Sequence, residues 1–307
     1  MKIVPLNGKA IAPNTAAAIG FFDGVHLAHQ ALIKRMIAIA DERGLKKAVI
    51  TFDKHPKHVL LDIEYYYLTP FDEKMNKLKT FGVDVIYLIE FDKQKAALDP
   101  LVFIEQYLKP LECLVCGFDF TFGLRARGNV DTLKKHAPFE TVVIEEQTRD
   151  GFKIGSTYIR DLIRGGHVDE VKAILGHYYR IKGTVVHGNK RGRTINYPTA
   201  NIDVGEYLIP KRGVYATMSK FNGRWHKSMS SIGFNPTLNR THKISVESYL
   251  FDFDKTIYGE TIETVFIKRL RDEKKFDSTQ ALIDAIKEDE VVTLSMLKDV
   301  VIDDDAL

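Results

Sequence analysis

Only two cysteines, Cys113 and Cys116, occur in 307 residues, which excludes a disulfide-stapled scaffold. Their Cys-x-x-Cys spacing invites a redox or zinc reading. However, Cys113-Leu114-Val115-Cys116-Gly117-Phe118 reads as a buried strand. Residues three apart on a strand point to opposite faces, and zinc would need further ligands at suitable spacing, so a structural role is expected. No stretch approaches the ~18 consecutive apolar residues of a membrane span. The short apolar run at 16–22 is stopped by Asp23 and is too broken for a secretory leader. A cytoplasmic protein with no membrane partner is the expectation. Charge blocks, low-complexity tracts and fixed-period repeats are also missing. The net charge is only +3, and basic and acidic residues are interleaved. A dedicated nucleic-acid binder shows a concentrated basic face instead, so nucleic acid is not an expected partner. Oligomeric state is not legible.

What the chain does have is enough apolar residue, 45%, for sizeable cores. At roughly 100–200 residues per domain its length predicts two domains. In the first half, strand-like runs at 16–22, 48–52, 83–91, 113–118 and 141–145 alternate with helical periodicity at 29–43, 73–81 and 102–108. Two short helices are expected at 157–164 and 168–175. This alternation predicts an α/β, doubly wound parallel sheet, whose ligands bind beyond the carboxyl ends of the strands. Past residue 179 the pattern becomes β-rich: 180–187, 214–220, 225–232, 244–253 and 262–268. Asn222-Gly223 marks a hairpin, and 278–288 reads as a helix capped by Ser278. A small antiparallel β-barrel with a C-terminal helix is expected. The domains are placed at 1–178 and 179–307.

The first candidate site is the strand-to-helix turn Gly20-Phe21-Phe22-Asp23-Gly24-Val25-His26-Leu27-Ala28-His29. A helix N-terminus offers unpaired N–H groups and partial positive charge to a phosphate. His26 and His29, three apart, share one face of the first turn and can donate to phosphate oxygens. Two surface histidines after a turn is the bland alternative. A second cluster, Gly155-Ser156-Thr157-Tyr158-Ile159-Arg160, opens another helix with hydroxyls at its start and an arginine one turn on. Ser156 can be a simple N-cap and Arg160 a solvated charge. Combined with the histidine turn, they make a clamp for a triphosphate.

This pairing of motifs resembles the HxGH / ISSTxxR nucleotidyltransferase superfamily. Thr51-Phe52-Asp53-Lys54-His55-Pro56 and Gly117-Phe118-Asp119-Phe120-Thr121-Phe122-Gly123 narrow the resemblance. They are similar to the adenylyltransferase module of prokaryotic bifunctional riboflavin kinase/FAD synthetases. The resemblance implies adenylyl transfer from ATP to FMN. It gives His26 and His29 a catalytic role and assigns Gly20, Phe22, Asp23, Gly24, Ser156, Thr157 and Arg160 to the nucleotide. Phe52, His55, Pro56, Asp119, Phe120 and Phe122 are assigned to the flavin. Ala28 and Gly155 stand where that family has glycine and serine.

The second candidate site begins at Gly183-Thr184-Val185-Val186-His187-Gly188-Asn189-Lys190-Arg191-Gly192-Arg193, a strand running into a basic, glycine-punctuated loop. An exposed basic loop is the bland reading. Tyr197-Pro198-Thr199-Ala200-Asn201 follows, with a hydroxyl and an amide two apart on one side of an extended segment. Such hard oxygen ligands suit Mg²⁺ at a phosphate. This run resembles the PTAN signature of riboflavin kinases, and further family segments follow through Arg269-Leu270-Arg271-Asp272-Glu273-Lys274-Lys275-Phe276. Asn196 stands where the family has a glycine. By resemblance, Glu247 is the general base, and Thr199 and Asn201 hold Mg²⁺. Gly183, His187, Gly188, Lys190, Arg191 and Gly192 bind ATP, and Arg269, Arg271 and Phe276 bind flavin. The implied function is bifunctional: riboflavin to FMN, then FMN to FAD, with ATP and Mg²⁺. Two alternatives stay open, a riboflavin kinase whose adenylyltransferase half has weakened and a flavin-sensing regulatory protein.

Overall fold

A computed structural model describes residues 1–7, 10–149, 151–188, 191–234 and 244–303. The side chains of Arg191 and Arg193 lie outside that description. The chain divides into two compact units, Met1–Ser156 and Thr157–Ala306.

The first unit is built on the expected parallel sheet. Its strands are β1 (Lys2–Pro5), β2 (Thr15–Ile19), β3 (Lys46–Phe52), β4 (Val85–Ile89), β5 (Cys113–Gly117) and β6 (Glu140–Ile144), in spatial order β1-β4-β3-β2-β5-β6. All five pairings are parallel. Helices α1 (Leu27–Arg43), α2 (Pro56–Leu61), α3 (Phe71–Thr80), α4 (Lys93–Ala96), α5 (Pro100–Phe103) and α6 (Val130–His136) alternate with them. Two apolar layers sandwich the sheet, one around Ala17, Ile50 and Leu114, the other around Ala18, Val49 and Val115. Cys116 belongs to the first layer and Cys113 to the second. Both thiols are free and buried, and burial raises them to about 12 and about 11. The opposite-face reading of the two cysteines therefore holds.

Helix ends follow local chemistry. Gly44, at φ 65°, closes α1 in the left-handed region that suits glycine. The first expected strand stops at Ile19, three residues early, because Phe22 turns to φ 59°. The helix expected at 102–108 is α-helical only at Pro100–Phe103 and continues as a π-helix over Ile104–Leu108. A short hairpin, β7 (Thr148–Arg149) with β8 (Phe152–Lys153), completes this unit.

The second unit starts with α7 (Ser156–Gly165, of which Ser156 is the last residue of the first unit) and α8 (Val168–Leu175). Its strands β9 (Arg180–Val186), β10 (Ala200–Asp203), β11 (Gly213–Phe221), β12 (Arg224–Phe234), β13 (Ile244–Leu250) and β14 (Thr261–Arg271) close a barrel, and each of its strand pairings is antiparallel. A single turn of helix, α9 (Arg191–Thr194), precedes β10. The β11–β12 hairpin turns at Asn222-Gly223, with φ 46° and 76°, as that dipeptide predicts. Helix α10 (Thr279–Met296) is capped by Ser278, which accepts from Ala281 N at 3.1 Å. It runs eight residues beyond the expected end at 288. Six buried hydroxyls form one chain inside the barrel: Thr264–Ser219–Ser228–Thr217–Ser230–Ser248, with links of 2.6–3.2 Å. A buried polar group is tolerable only when hydrogen-bonded, and each of these is.

Candidate active sites

In the first unit the carboxyl ends of the strands open into a cavity of about 820 Å³. Gly20, His26, Ala28 and His29 line it from the first motif, with Gly155 and Ser156 from the second. Phe52, His55, Pro56, Asp119, Phe120 and Phe122 complete the set that was assigned to the flavin. These segments are far apart in sequence; the parallel sheet gathers 20–29, 52–56 and 119–122 because they follow β2, β3 and β5, and Gly155-Ser156 follows the β7–β8 hairpin.

His26 caps α1, its Nδ1 accepting from His29 N at 3.4 Å. A neutral imidazole that accepts through Nδ1 carries its hydrogen on Nε2. Burial lowers His26 to about 4, against a smaller upward pull from Asp119. His29 is also held well below its ordinary value, by burial first and then by the charges of His26 and Lys74. The rings stack with centroids 3.6 Å apart. Both imidazoles are therefore neutral hydrogen-bonding groups at neutral pH.

Asp23 and Phe22 are buried beneath the turn. Asp23 Oδ1 accepts from Thr69 N at 3.1 Å, and its carbonyl accepts from Ser156 Oγ at 3.0 Å. Ser156 thus ties the second motif to the first; it is the first residue of α7 rather than its cap. Gly24 has φ 85°. Thr157 and Arg160 lie past the division between the units, the former exposed and the latter buried. His55 caps α2 through Nδ1 and stacks on Tyr65 at 4.2 Å. Asp119 pairs with Lys153 at 2.6 Å.

In the barrel unit, Thr199 Oγ1 donates to Glu247 Oε2 at 3.0 Å. Asn201 sits opposite Glu247 in the β10–β13 register. Strand alternation buries Val246 and Ser248 while leaving Glu247 half-buried on the other face. Gly188 lies so close to Asn201 that a Cβ there would strike its amide. Gly183 is pressed against the Asp203 backbone, and the Gly192 carbonyl accepts from Tyr197 N at 2.8 Å. His187 packs on Tyr258 with ring centroids 3.9 Å apart. Thr199, Pro198 and Tyr258 line a cavity of about 470 Å³. Lys190 lies outside the described residues. Arg271 makes a bidentate pair with Asp289 of α10 at 2.7–3.0 Å and stands 5.7 Å from the Phe276 ring. Arg269 is held by Asp272 at 2.6 Å and by the Arg212 carbonyl.

Residues 8–158 match the family model described as FAD synthetase, and residues 175–297 match riboflavin kinase. A bifunctional riboflavin kinase/FMN adenylyltransferase of Listeria monocytogenes is 45% identical over 284 residues, covering 90% of each chain. The chain belongs to the bifunctional riboflavin kinase/FMN adenylyltransferase family. Its Bacillus subtilis member is 40% identical, covering 89% of each chain. The two modules stand in the order that the motifs implied. A crystal structure from Streptococcus pneumoniae, described as a macrolide-efflux protein, superposes with TM-score 0.86 at 34% identity, covering 95% of this chain and 98% of that one. Among the described residues here, no helix is long and apolar enough to cross a membrane.

Within this family frame, the departures acquire a physical form. Asn196 occupies φ 61°, a left-handed position that glycine takes freely and asparagine tolerates best among other residues. A side chain at Gly155 would meet nothing within 4 Å. Three residues escaped the motifs. Lys74 is buried under the histidine turn, and its signal was a lysine on the apolar face of α3 beside Met75 and Leu78. Glu290 of α10 accepts from Tyr197 OH at 2.9 Å, and Asp289 holds Arg271. Nothing local in the sequence pairs α10 with those partners.

Proposed function

We propose that the domain placed at 179–307, which contains the barrel, phosphorylates riboflavin to FMN. The domain placed at 1–178, which contains the parallel sheet, then adenylylates FMN to FAD, both with ATP in the cytoplasm. The observation that carries this reading is the Thr199–Glu247 hydrogen bond of 3.0 Å with Asn201 in register beside it. It sets a carboxylate base next to two oxygen ligands, an arrangement suited to turnover more than to sensing.

In the kinase step, Glu247 takes the proton of the riboflavin 5′-hydroxyl as that oxygen attacks the γ-phosphorus of ATP. The bond to the bridging oxygen breaks and ADP leaves. The Thr199 bond holds the Glu247 carboxylate in one orientation. The donor set fits Mg²⁺: Thr199 and Asn201 offer neutral, hard oxygens, and Mg²⁺ usually takes its remaining ligands from water and substrate phosphates. When bound, the ion neutralises phosphate charge. His187, Gly188, Lys190, Arg191 and Gly192 bind the nucleotide, and Gly183 lies in the strand that precedes them. Arg269, Arg271 and Phe276 border the flavin.

In the adenylyl step, an FMN phosphate oxygen attacks the α-phosphorus of ATP and pyrophosphate leaves. The chain's contribution is position and hydrogen bonding. His26 donates through Nε2–H beside the N-terminus of α1, with His29 stacked against it. Ser156, Thr157 and Arg160 belong to the nucleotide side. Phe52, His55 and Phe120 offer surfaces for the isoalloxazine ring.

Incubation with riboflavin, ATP and Mg²⁺, followed by flavin separation, tests both steps. FMN and FAD are the expected products. Accumulation of neither overturns the reading, and FMN alone points to a weakened adenylyltransferase half.

A further inference from the structure

Lys74 sits on the inner face of α3 and is 2% exposed. A helix that turns an ammonium into a core must supply acceptors for it. Lys74 Nζ donates to the carbonyls of Phe52 at 2.9 Å and Phe21 at 3.2 Å, and reaches Thr51 Oγ1 at 3.5 Å. Thr51 Oγ1 itself donates to the Phe21 carbonyl at 3.1 Å. The ammonium also lies 4.1 Å from the centroid of the Phe21 ring. All three acceptors are uncharged. Asp23 and Asp53 act on Lys74 through their fields, and burial still brings it down to about 8.

Two of these acceptors mark where the loops leave β2 and β3, the neighbouring strands that carry the histidine turn and the 51–56 segment. The turn that follows Phe21 is strained. Phe22 has φ 59° and Val25 has φ 46°, and a left-handed β-branched residue is an outlier. Such conformations persist only where the surroundings over-determine them. Drawing the Phe21 carbonyl towards Lys74 turns the N–H of the same trans peptide, that of Phe22, the opposite way. Lys74 is not part of the cavity wall, so its effect passes through this backbone.

We propose that Lys74 is a positioning residue for adenylyl transfer. By joining the Phe21 and Phe52 carbonyls from beneath, it holds the strained turn, and with it His26 and His29, in the geometry that receives phosphate. This rests on the reading of the cavity as the FMN adenylylation site.

The test is steady-state kinetics of the full chain with FMN, ATP and Mg²⁺ for Lys74→Met, Lys74→Arg and Thr51→Val. Riboflavin phosphorylation in the same preparations controls for the barrel unit, and far-ultraviolet circular dichroism for the fold. Lys74→Met is expected to lower kcat for FAD formation about 10²-fold. Its KM for FMN should stay within about threefold, a split that marks lost transition-state geometry. Lys74→Arg should recover part of kcat, and Thr51→Val should lower kcat less. A kcat for Lys74→Met within about twofold of wild type overturns the proposal, as does a loss that Arg does not relieve. If Lys74→Met does not fold, an unchanged kcat in Thr51→Val overturns it. Absence of FAD from the wild-type chain would instead sink the assignment of the cavity.

Discussion

Thr199 and Glu247 meet across 3.0 Å although 48 positions separate them in the chain. The hydroxyl donates to the carboxylate, and the pair stands beside Asn201 because β10 and β13 are adjacent. The barrel's strand order, rather than any local motif, makes this encounter. Glu247→Gln keeps the shape and removes the base. Riboflavin phosphorylation should fall about 10²–10⁴-fold, while FAD formation from supplied FMN should be unaltered. Flavin separation after single-substrate incubations measures both.

Gly188 is packed against the side chain of Asn201. Gly188→Ala places a methyl group where the amide now lies and displaces it. A loss of about 10–100-fold in riboflavin phosphorylation is expected, again without effect on adenylylation of FMN. Initial rates over a range of Mg²⁺ should show a raised metal requirement.

His26 gives the first unit a pH dependence with a definite sign. Its folded value is about 4 against an ordinary 6.5. Between those values the unfolded chain holds a proton that the folded chain does not, so stability rises with pH across that window. The contribution is complete above 6.5 and is lost as pH falls towards 4. For His26 alone it is on the order of 3 kcal/mol, and His29 acts in the same direction. Hydrogen exchange of the α1 amides should accelerate as pH falls through this range, after correction for intrinsic rates. His26→Gln should flatten that trend.

Asn196, at φ 61°, makes a paired prediction. Asn196→Gly should leave stability and kinase activity near wild type. Asn196→Val should cost about 1–2 kcal/mol, because a β-carbon branch is forced into the left-handed region. Denaturant unfolding followed by the fluorescence of Trp225, the chain's one tryptophan, reports on the barrel unit directly.

Much of this molecule is legible in its sequence. Alternation of strand and helix periodicity carried the parallel sheet, and Asn222-Gly223 carried its hairpin, because both signals are local. The split of Cys113 and Cys116 between two apolar layers followed from strand geometry alone. What escaped depends on long-range packing. Strand β1 is four residues at the sheet edge, too short for periodicity to register. The left-handed Phe22 shortened β2 in a way that no apolar pattern marks. Lys74 reads as an ordinary helix lysine until α3 is set against the ends of β2 and β3. Glu290 and Asp289 acquire partners only when α10 lies on the barrel. The motifs located the chemistry through resemblance, while the supports beneath them needed the fold.

The six-hydroxyl chain inside the barrel has a consequence for strand alignment. A slip of one residue would turn apolar faces outward and is strongly opposed. A slip of two keeps every face correct, so hydrophobic patterning is blind to it. Thr217 lies opposite Ser228, Ser230 opposite Ser248, and Ser219 opposite Thr264. Moving β12 by two positions one way would set Ser230 opposite Gly213 and Val246, and the other way would set Ile232 opposite Ser248, so either slip takes a buried hydroxyl from its present partner, at a cost of about 1–3 kcal/mol. The polar ladder therefore works as a vernier for the closed sheet, distinguishing alignments that oiliness alone would treat as equal.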